Sequence, residues 1–412
     1  MSDRPAVQPQ IAIRGVFVLF GITIAAFFPF LALYLERYHG LDASRIGVVI
    51  ACCAAARMIA NPFWGHTADT RWGRLTVLQI CLAGSAVAAL LLNIHWAFAG
   101  IVVTAAIHSA FLVGPGPNID ALALAHLGEE RMSDYGKIRG WESLTYAAGC
   151  LCFGLILERY GMGWAMPLFA VSALVVLVWS TTVHRDRPTE LEDHGRLGAV
   201  GAVFRQAPRF WGYLAAALLV WIGFNAAWNF LALRISDNGG GAWLIGLGTA
   251  LGGVIEVPTM RSSARLHRRF GLRRVYMLGC CVYALGFLLW GSVSNPTALS
   301  VLTMLEGVGF SLLFTTGVVI IGRLLPANLY STGNAVSAMV GFGIAPIIGA
   351  GIGGFIYQHL GAPVLYGSAS ALALSAAVVA WFALNTPALR EPRPIEADDV
   401  VPVTLPDTGP TV

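Results

Sequence analysis

The chain has 412 residues, 57% of them hydrophobic and only 12% charged. That is about half the charged fraction of a soluble domain, too little to cover a water-facing surface. The composition excludes an ordinary soluble protein and points to an all-α, polytopic integral membrane protein. The net charge of +4 says nothing by itself about nucleic acid, because nearly all the basic residues fall in short segments between apolar runs, and no nucleic-acid partner is expected.

Taken in order, twelve apolar runs of about 20 residues or more predict twelve membrane-spanning helices. Their limits are 11–35, 44–68, 74–93, 96–127, 135–158, 162–183, 209–234, 241–266, 272–293, 296–325, 329–359 and 362–385. The first run is too long for a signal-peptide core and is read as a span. The polar break at 184–208, with His184-Arg185-Asp186-Arg187-Pro188, divides the chain into two six-helix bundles, 1–183 and 209–385. The proline- and acid-rich tail, 386–412, is expected to be disordered. Arg37, Arg45, Arg159 and Arg234 lie on one side, and Arg57 and Arg139 lie within spans. All other basic residues fall on the opposite side, which places both termini in the cytoplasm and the chain in the cell inner (plasma) membrane.

The halves repeat. Ser44-Arg45-Ile46-Gly47 aligns with Trp243-Leu244-Ile245-Gly246, which sets Arg57 opposite Glu256. Trp72-Gly73-Arg74 resembles Phe270-Gly271-Leu272-Arg273, and Gly154 through Gly161 parallels Gly354 through Gly361. Such a parallel repeat implies two bundles related by an axis along the membrane normal, with a site at midplane between them.

Charges inside the spans mark candidate sites, because each isolated one costs roughly 2.5–3.5 kcal/mol on insertion. Asp120, Arg139 and Glu142 stand on consecutive spans 4 and 5, separated by a turn with Glu129, Glu130, Arg131 and Asp134. Glu256 and Glu306 stand on spans 8 and 10. The seven cysteines lie in apolar segments without metal-ligand spacing and read as reduced packing residues. No metal cluster, cofactor-binding motif, phosphate-cradling loop or nucleophile–base set is present in the pattern, so neither an enzyme nor an ATP-driven pump is supported.

The segment Gly65-His66-Thr67-Ala68-Asp69-Thr70-Arg71-Trp72-Gly73-Arg74 resembles the signature loop of the major facilitator superfamily. Tyr135-Gly136-Lys137-Ile138-Arg139-Gly140-Trp141, Asp120-Ala121-Leu122-Ala123 and Gly354-Phe355-Ile356-Tyr357-Gln358 are similar to the phenylpropionate permease group, allied to lactose permease-type proton symporters. The resemblance covers nearly the whole chain. It implies that Asp120 and Arg139 bind substrate and that Glu256 links substrate and proton sites. Glu306 falls where the family often has a histidine for proton coupling, and Glu142 where the group usually has glycine. Asp69, Arg71, Gly73 and Arg74 are implied in gating.

Plainer readings stand beside these. Asp120 with Arg139 could be a structural ion pair, Glu142 could only balance Arg139, and Glu256 could pair with that same arginine. Arg57 reads as structural and His108 as a packing histidine. Trp221, Asn225 and Trp228 recur at spacings of four and three, one face of span 7. The interleaved asparagines make that face a candidate cavity wall rather than a lipid-facing stripe. The expected function is a monomeric secondary transporter of a small organic solute by proton symport, with an aromatic acid, a sugar or a nucleoside as candidates. The alternatives are proton-coupled efflux of amphipathic compounds and a non-transporting membrane sensor of the same fold.

Overall fold

The computed structural model describes residues 9–127, 135–184 and 207–390. The turn carrying Glu129, Glu130, Arg131 and Asp134, most of the central segment 184–208 and most of the tail 386–412 lie outside the described residues. Eleven helices are long and apolar enough to cross a membrane, and the shorter Ile11–Ala25 makes a twelfth apolar element.

Several spans are interrupted where the sequence dictates. Span 1 is Pro9–Ala25 and Leu31–Arg37. The break before Leu31 holds Pro29, which has no N–H to give an α-helical ladder. Span 4 is Phe98–Leu112 and Pro115–Leu127. Its break precedes Pro115, whose ring disfavours helix in the preceding residue, and the Asn118 amide donates back to the Gly114 carbonyl at 2.8 Å. Spans 2 (Ala43–Thr67), 5 (Tyr135–Tyr160), 7 (Pro208–Asp237), 8 (Ala242–Phe270), 9 (Leu272–Ser292), 10 (Thr303–Leu324, preceded by Pro296–Val301) and 12 (Ala362–Ala383) follow the expected runs to within a few residues at each end. Spans 3 and 6 are Arg74–Leu92 and Ala165–Ser180. Span 11 is Ala327–Ala338 and Ala345–Leu360, joined by a π-helical stretch, Met339–Ile344.

The stretch resembling a signature loop is mostly helix. Span 2 runs on as a π-helical segment, Ala68–Trp72, and only Gly73 breaks it. Gly73 sits at φ 78° and ψ 155°, and Gly271 between spans 8 and 9 at φ 79° and ψ 157°. A side chain is strained in that left-handed region, so glycine at both places lets one helix end and the next begin without a loop.

The packing repeats as the sequence does. In the first half span 1 packs on spans 5 and 6, span 4 on spans 2 and 3, and span 3 on span 6. In the second, span 7 packs on spans 11 and 12, span 10 on spans 8 and 9, and span 9 on span 12. Exchange of halves maps one set onto the other. Across the interface span 2 meets span 11 and span 5 meets span 8, again a symmetric pair. The fold is two pseudo-symmetric six-helix bundles.

The halves close on each other at the arginine-poor end. At Gly47, a methyl group would strike the Ala350 carbonyl oxygen and the Gly354 backbone; at Gly246 it would strike the Cys150 carbonyl. Backbones come this close because small residues allow it, and dispersion between helices replaces the hydrophobic drive that lipid does not supply. Hydrogen bonds add direction. Arg37 Nη2 donates to Ser236 Oγ at 2.9 Å. The first backbone N–H of span 2, at Ala43, donates to Gln358 Oε1 at 3.0 Å, and that of span 8, at Ala242, donates to Glu158 Oε2 at 2.5 Å. Gln358 and Glu158 hold equivalent places in the repeat, so each half caps a helix N-terminus of the other. Gly246→Val is expected to hold this end apart and abolish transport. Buried Cys150 should pass from protected to reactive in maleimide labelling followed at that residue.

Candidate functional site

A cavity of about 200 Å³ lies between the halves. The break in span 1 puts Phe27, Phe28 and Pro29 on its wall, and span 2 contributes Ile50 and Arg57. Span 7 contributes Phe224, Asn225, Trp228 and Asn229, and spans 8 and 10 contribute Thr249 and Thr303. Of the face expected on span 7, Asn225 and Trp228 line this cavity. Trp221 does not: it borders a second cavity of about 220 Å³, with Tyr213, Asn334, Ser337 and Phe342. The π-helical stretch of span 11 causes the split, because it sets Gly341 and Phe342 against the Trp221 ring. The Asn225 amide donates to the Trp221 carbonyl at 2.8 Å, and that of Asn229 to the Asn225 carbonyl at 2.7 Å.

Arg57 corrects the expectation of a structural pair. It lines the cavity, and among the described residues no carboxylate forms an ion pair with it. Its neighbour His108 is fully buried, as a packing residue should be, with its ring 4.5 Å from that of Phe27 and 4.8 Å from that of Phe169. Among the described residues, neither His108 ring nitrogen has a hydrogen-bond partner.

Asp120, Arg139 and Glu142 do come together, but outside the lining of the central cavity. Arg139 Nε lies 3.5 Å from Asp120 Oδ1, and its Nη1 lies 3.1 Å from Glu142 Oε2. Their three-residue spacing puts Arg139 and Glu142 on one helix face. The Arg139 guanidinium also lies 5.9 Å from the Phe17 ring of span 1. Glu142 is only 7% exposed, whereas the Asp120 and Arg139 side chains are each 38% exposed. The cluster joins spans 1, 4 and 5 and engages the arginine on both sides. Among the described residues no ion pair joins Arg139 to Glu256.

Glu256 and Glu306 form a second cluster. Glu306 is buried, 7% exposed, one turn beyond Thr303 on span 10. It stands within electrostatic reach of Glu256. No ion pair supplies either with a cation among the described residues. Two tyrosines accompany them, Tyr283 of span 9 and Tyr146 of span 5. Tyr146 is a residue the sequence reading missed. It stands four residues after Glu142, hence on the same face, and brings the first half's span 5 up to the second half's carboxylates.

Comparison with known proteins places this architecture. Residues 11–367 match the model of the MFS_1 like family, part of the major facilitator superfamily. The chain belongs to that family. It is 28% identical to the maltose permease of Geobacillus stearothermophilus over 370 residues, 86% of this chain and 90% of that one. It is 24% identical to the probable 3-phenylpropionic acid transporter of Escherichia coli (strain K12) over 361 residues, 85% of this chain and 92% of that one. The crystal structure of the nucleoside transporter NupG superposes with a TM-score of 0.82 at 14% identity, covering 92% of this chain and all of that one. The MFS_1-like chain is thus a multi-pass membrane transporter, and the resemblance to permeases read from its motifs holds.

In this MFS_1-like transporter the expected gating residues lie at the arginine-rich end. Asp69 Oδ1 stands 3.4 Å from Arg74 Nε, both side chains 32% exposed, with Gly73 between them as the breaker. Arg71 is exposed. The Asp69–Arg74 pair lies within one half and pins the start of span 3 to the end of span 2. A surface pair of this kind contributes about 0–1 kcal/mol and is easily broken. Asp69→Asn is expected to slow turnover several-fold and leave equilibrium solute binding nearly intact. An affinity loss exceeding the rate loss, measured on the same preparation, would contradict a gating role.

Proposed function

We propose that the chain is a secondary active transporter that moves a small organic solute across the cell inner membrane by proton symport, through alternating access. The carrying observation is the cavity between two pseudo-symmetric halves whose arginine-poor ends are locked together. The basic-residue bias supports assigning that locked end to the outside and both termini to the cytoplasm. The structure then corresponds to the outward-closed stage of the cycle. The halves 1–183 and 209–385 would rock as units about the cavity, and a single chain holds all the parts needed. Aromatic walls with two asparagines and an arginine suit an aromatic acid, a sugar or a nucleoside. Relatives named for maltose and 3-phenylpropionic acid and a neighbour named for nucleosides fall within those classes.

The Glu256–Glu306 pair supports protons as the coupling ion, since two carboxyls without a cation cannot both be ionised cheaply. The test is uptake of labelled solutes into proteoliposomes with an imposed pH gradient. Symport gives accumulation on the side opposite the acid compartment. Efflux, which relatives named multidrug resistance protein MdtG keep in view, gives exchange of proton and solute in opposite directions. A sensor gives binding without flux.

A further inference from the structure

We infer that the solute is a small organic anion and that Arg57 is the residue that selects it, an inference that rests on the central cavity being the transport site. Among the described residues lining that cavity, Arg57 is the only ionisable side chain. Of the acids in the first half's spans, Asp120 and Glu142 both lie on Arg139, Glu158 caps span 8 at the arginine-poor end, and Glu36 stands beside Arg37 at that same end. The ionisable groups beside Arg57 on spans 2 and 4 are a thiol, Cys53, and an imidazole, His108, and neither is a carboxylate. Glu256 and Glu306 belong to the tyrosine-flanked cluster of spans 8, 9 and 10. A guanidinium held in an apolar membrane interior without a counter-charge is costly, and such groups normally face a partner or a wet cavity. Here the partner must come with the ligand.

The remaining walls describe the rest of that ligand. Phe28, Phe224 and Trp228 offer flat apolar surface, and Phe224 and Trp228 stack with centroids 6.0 Å apart at 18°. Asn225 and Asn229 each commit an amide hydrogen to their own helix and keep a carbonyl oxygen able to accept from a hydroxyl. The cavity is smaller than the roughly 300–1,000 Å³ typical of drug-sized ligands. A compact, flat, singly charged acid fits, and an organic cation does not. Arg139, the arginine that the resemblance makes the substrate ligand, is already balanced by two carboxylates and has no charge to offer.

The experiment uses the purified full chain in lipid nanodiscs and shape-matched probes differing only in charge: benzoate, benzamide and benzylamine, then 3-phenylpropionate and its amide, with maltose and uridine as neutral polar controls. Binding is read by ligand-induced shift in melting temperature and by tryptophan fluorescence. At least one anion is expected to bind about tenfold or more tightly than its amide, since hydrogen bonds to charged groups are roughly twice as strong as those between neutral groups. Arg57→Gln should erase that preference and leave the ligand-free melting temperature close to the parent value. Arg57→Lys should retain part of it, having the charge without the planar fork. Equal binding of an amide, binding of only the neutral controls, or a charge preference that survives Arg57→Gln would overturn the inference. If Arg57→Gln itself melts early, the Arg57→Lys comparison decides: a lysine variant with no anion preference whatever its pH, or one indistinguishable from the parent, sinks it. Arg57-dependent anion binding without uphill uptake in proteoliposomes would instead reject the proton-symport reading and leave this inference standing.

Discussion

Arg139→Ala is expected to be the most damaging single change in the first half, by loss of folded protein rather than loss of affinity. The arginine is the cation of a three-member cluster whose Glu142 is 7% exposed. Removing one partner of a fully buried pair leaves an uncompensated charge and costs about 3–5 kcal/mol. Arg139 is 38% exposed, so solvent screens part of that and the cost here lies at or below the low end of the range. That is still a sizeable share of the roughly 5–15 kcal/mol by which folded proteins are ordinarily stable. The measurement is folded yield and melting temperature in detergent. The same measurement on Arg139→Met combined with Glu142→Gln separates charge balance from ligand contact. With the buried acid neutralised, most of the lost stability should return, because apolar replacement of a whole buried ion pair is often neutral. If the double variant is stable but has lost solute binding, the cluster touches the solute after all. If it binds normally, Asp120, Arg139 and Glu142 tie spans 1, 4 and 5 together and do no more.

How much of this was legible in the sequence follows from how local each feature is. The spans were legible because length and apolarity are set by the bilayer, one helix at a time. The repeat was legible because a strained backbone keeps its glycine: Gly73 and Gly271 share dihedral angles as well as sequence context. The pairing of Arg139 with Glu142 was legible because it needs only helical spacing. The role of Arg57 was not. A lone arginine in an apolar run reads as structural until span 2 is known to face span 7 across the central cavity. Trp221 has the right period to join Asn225 and Trp228, yet the π-helical stretch of span 11, with no periodic signal of its own, closes Phe342 over it. The signature stretch was expected as a loop from its resemblance to the superfamily's signature loop between spans 2 and 3. It folds as helix up to Gly73, since only that residue adopts positive φ. Tyr146 could have been found from its four-residue spacing to Glu142, but an aromatic residue in a span attracts no notice until it meets carboxylates.

Glu306→Gln is expected to uncouple transport. Glu306 is 7% exposed on span 10, within electrostatic reach of Glu256, and among the described residues no ion pair gives it a cation. Carrying two negative charges together through the membrane interior is costly, so at least one carboxyl is expected to carry a proton during part of the cycle. Glutamine keeps the size and one donor of the protonated acid but cannot release the proton. Gly252 lies close enough that an added methyl would sit 3.3 Å from Glu306 Oε2, so a near-isosteric change is the one that spares the packing of span 8 on span 10. Uphill accumulation driven by a pH gradient should fall at least about tenfold, while exchange of labelled for unlabelled solute across equal pH continues, because exchange needs the halves to rock but no proton to leave. Glu256→Gln should show the weaker form of the same split, since Glu256 is only partly buried. Should Glu306→Gln still concentrate solute against its gradient, the coupled proton is held elsewhere. Should it lose exchange together with accumulation, Glu306 serves the packing of spans 8, 9 and 10 rather than the proton.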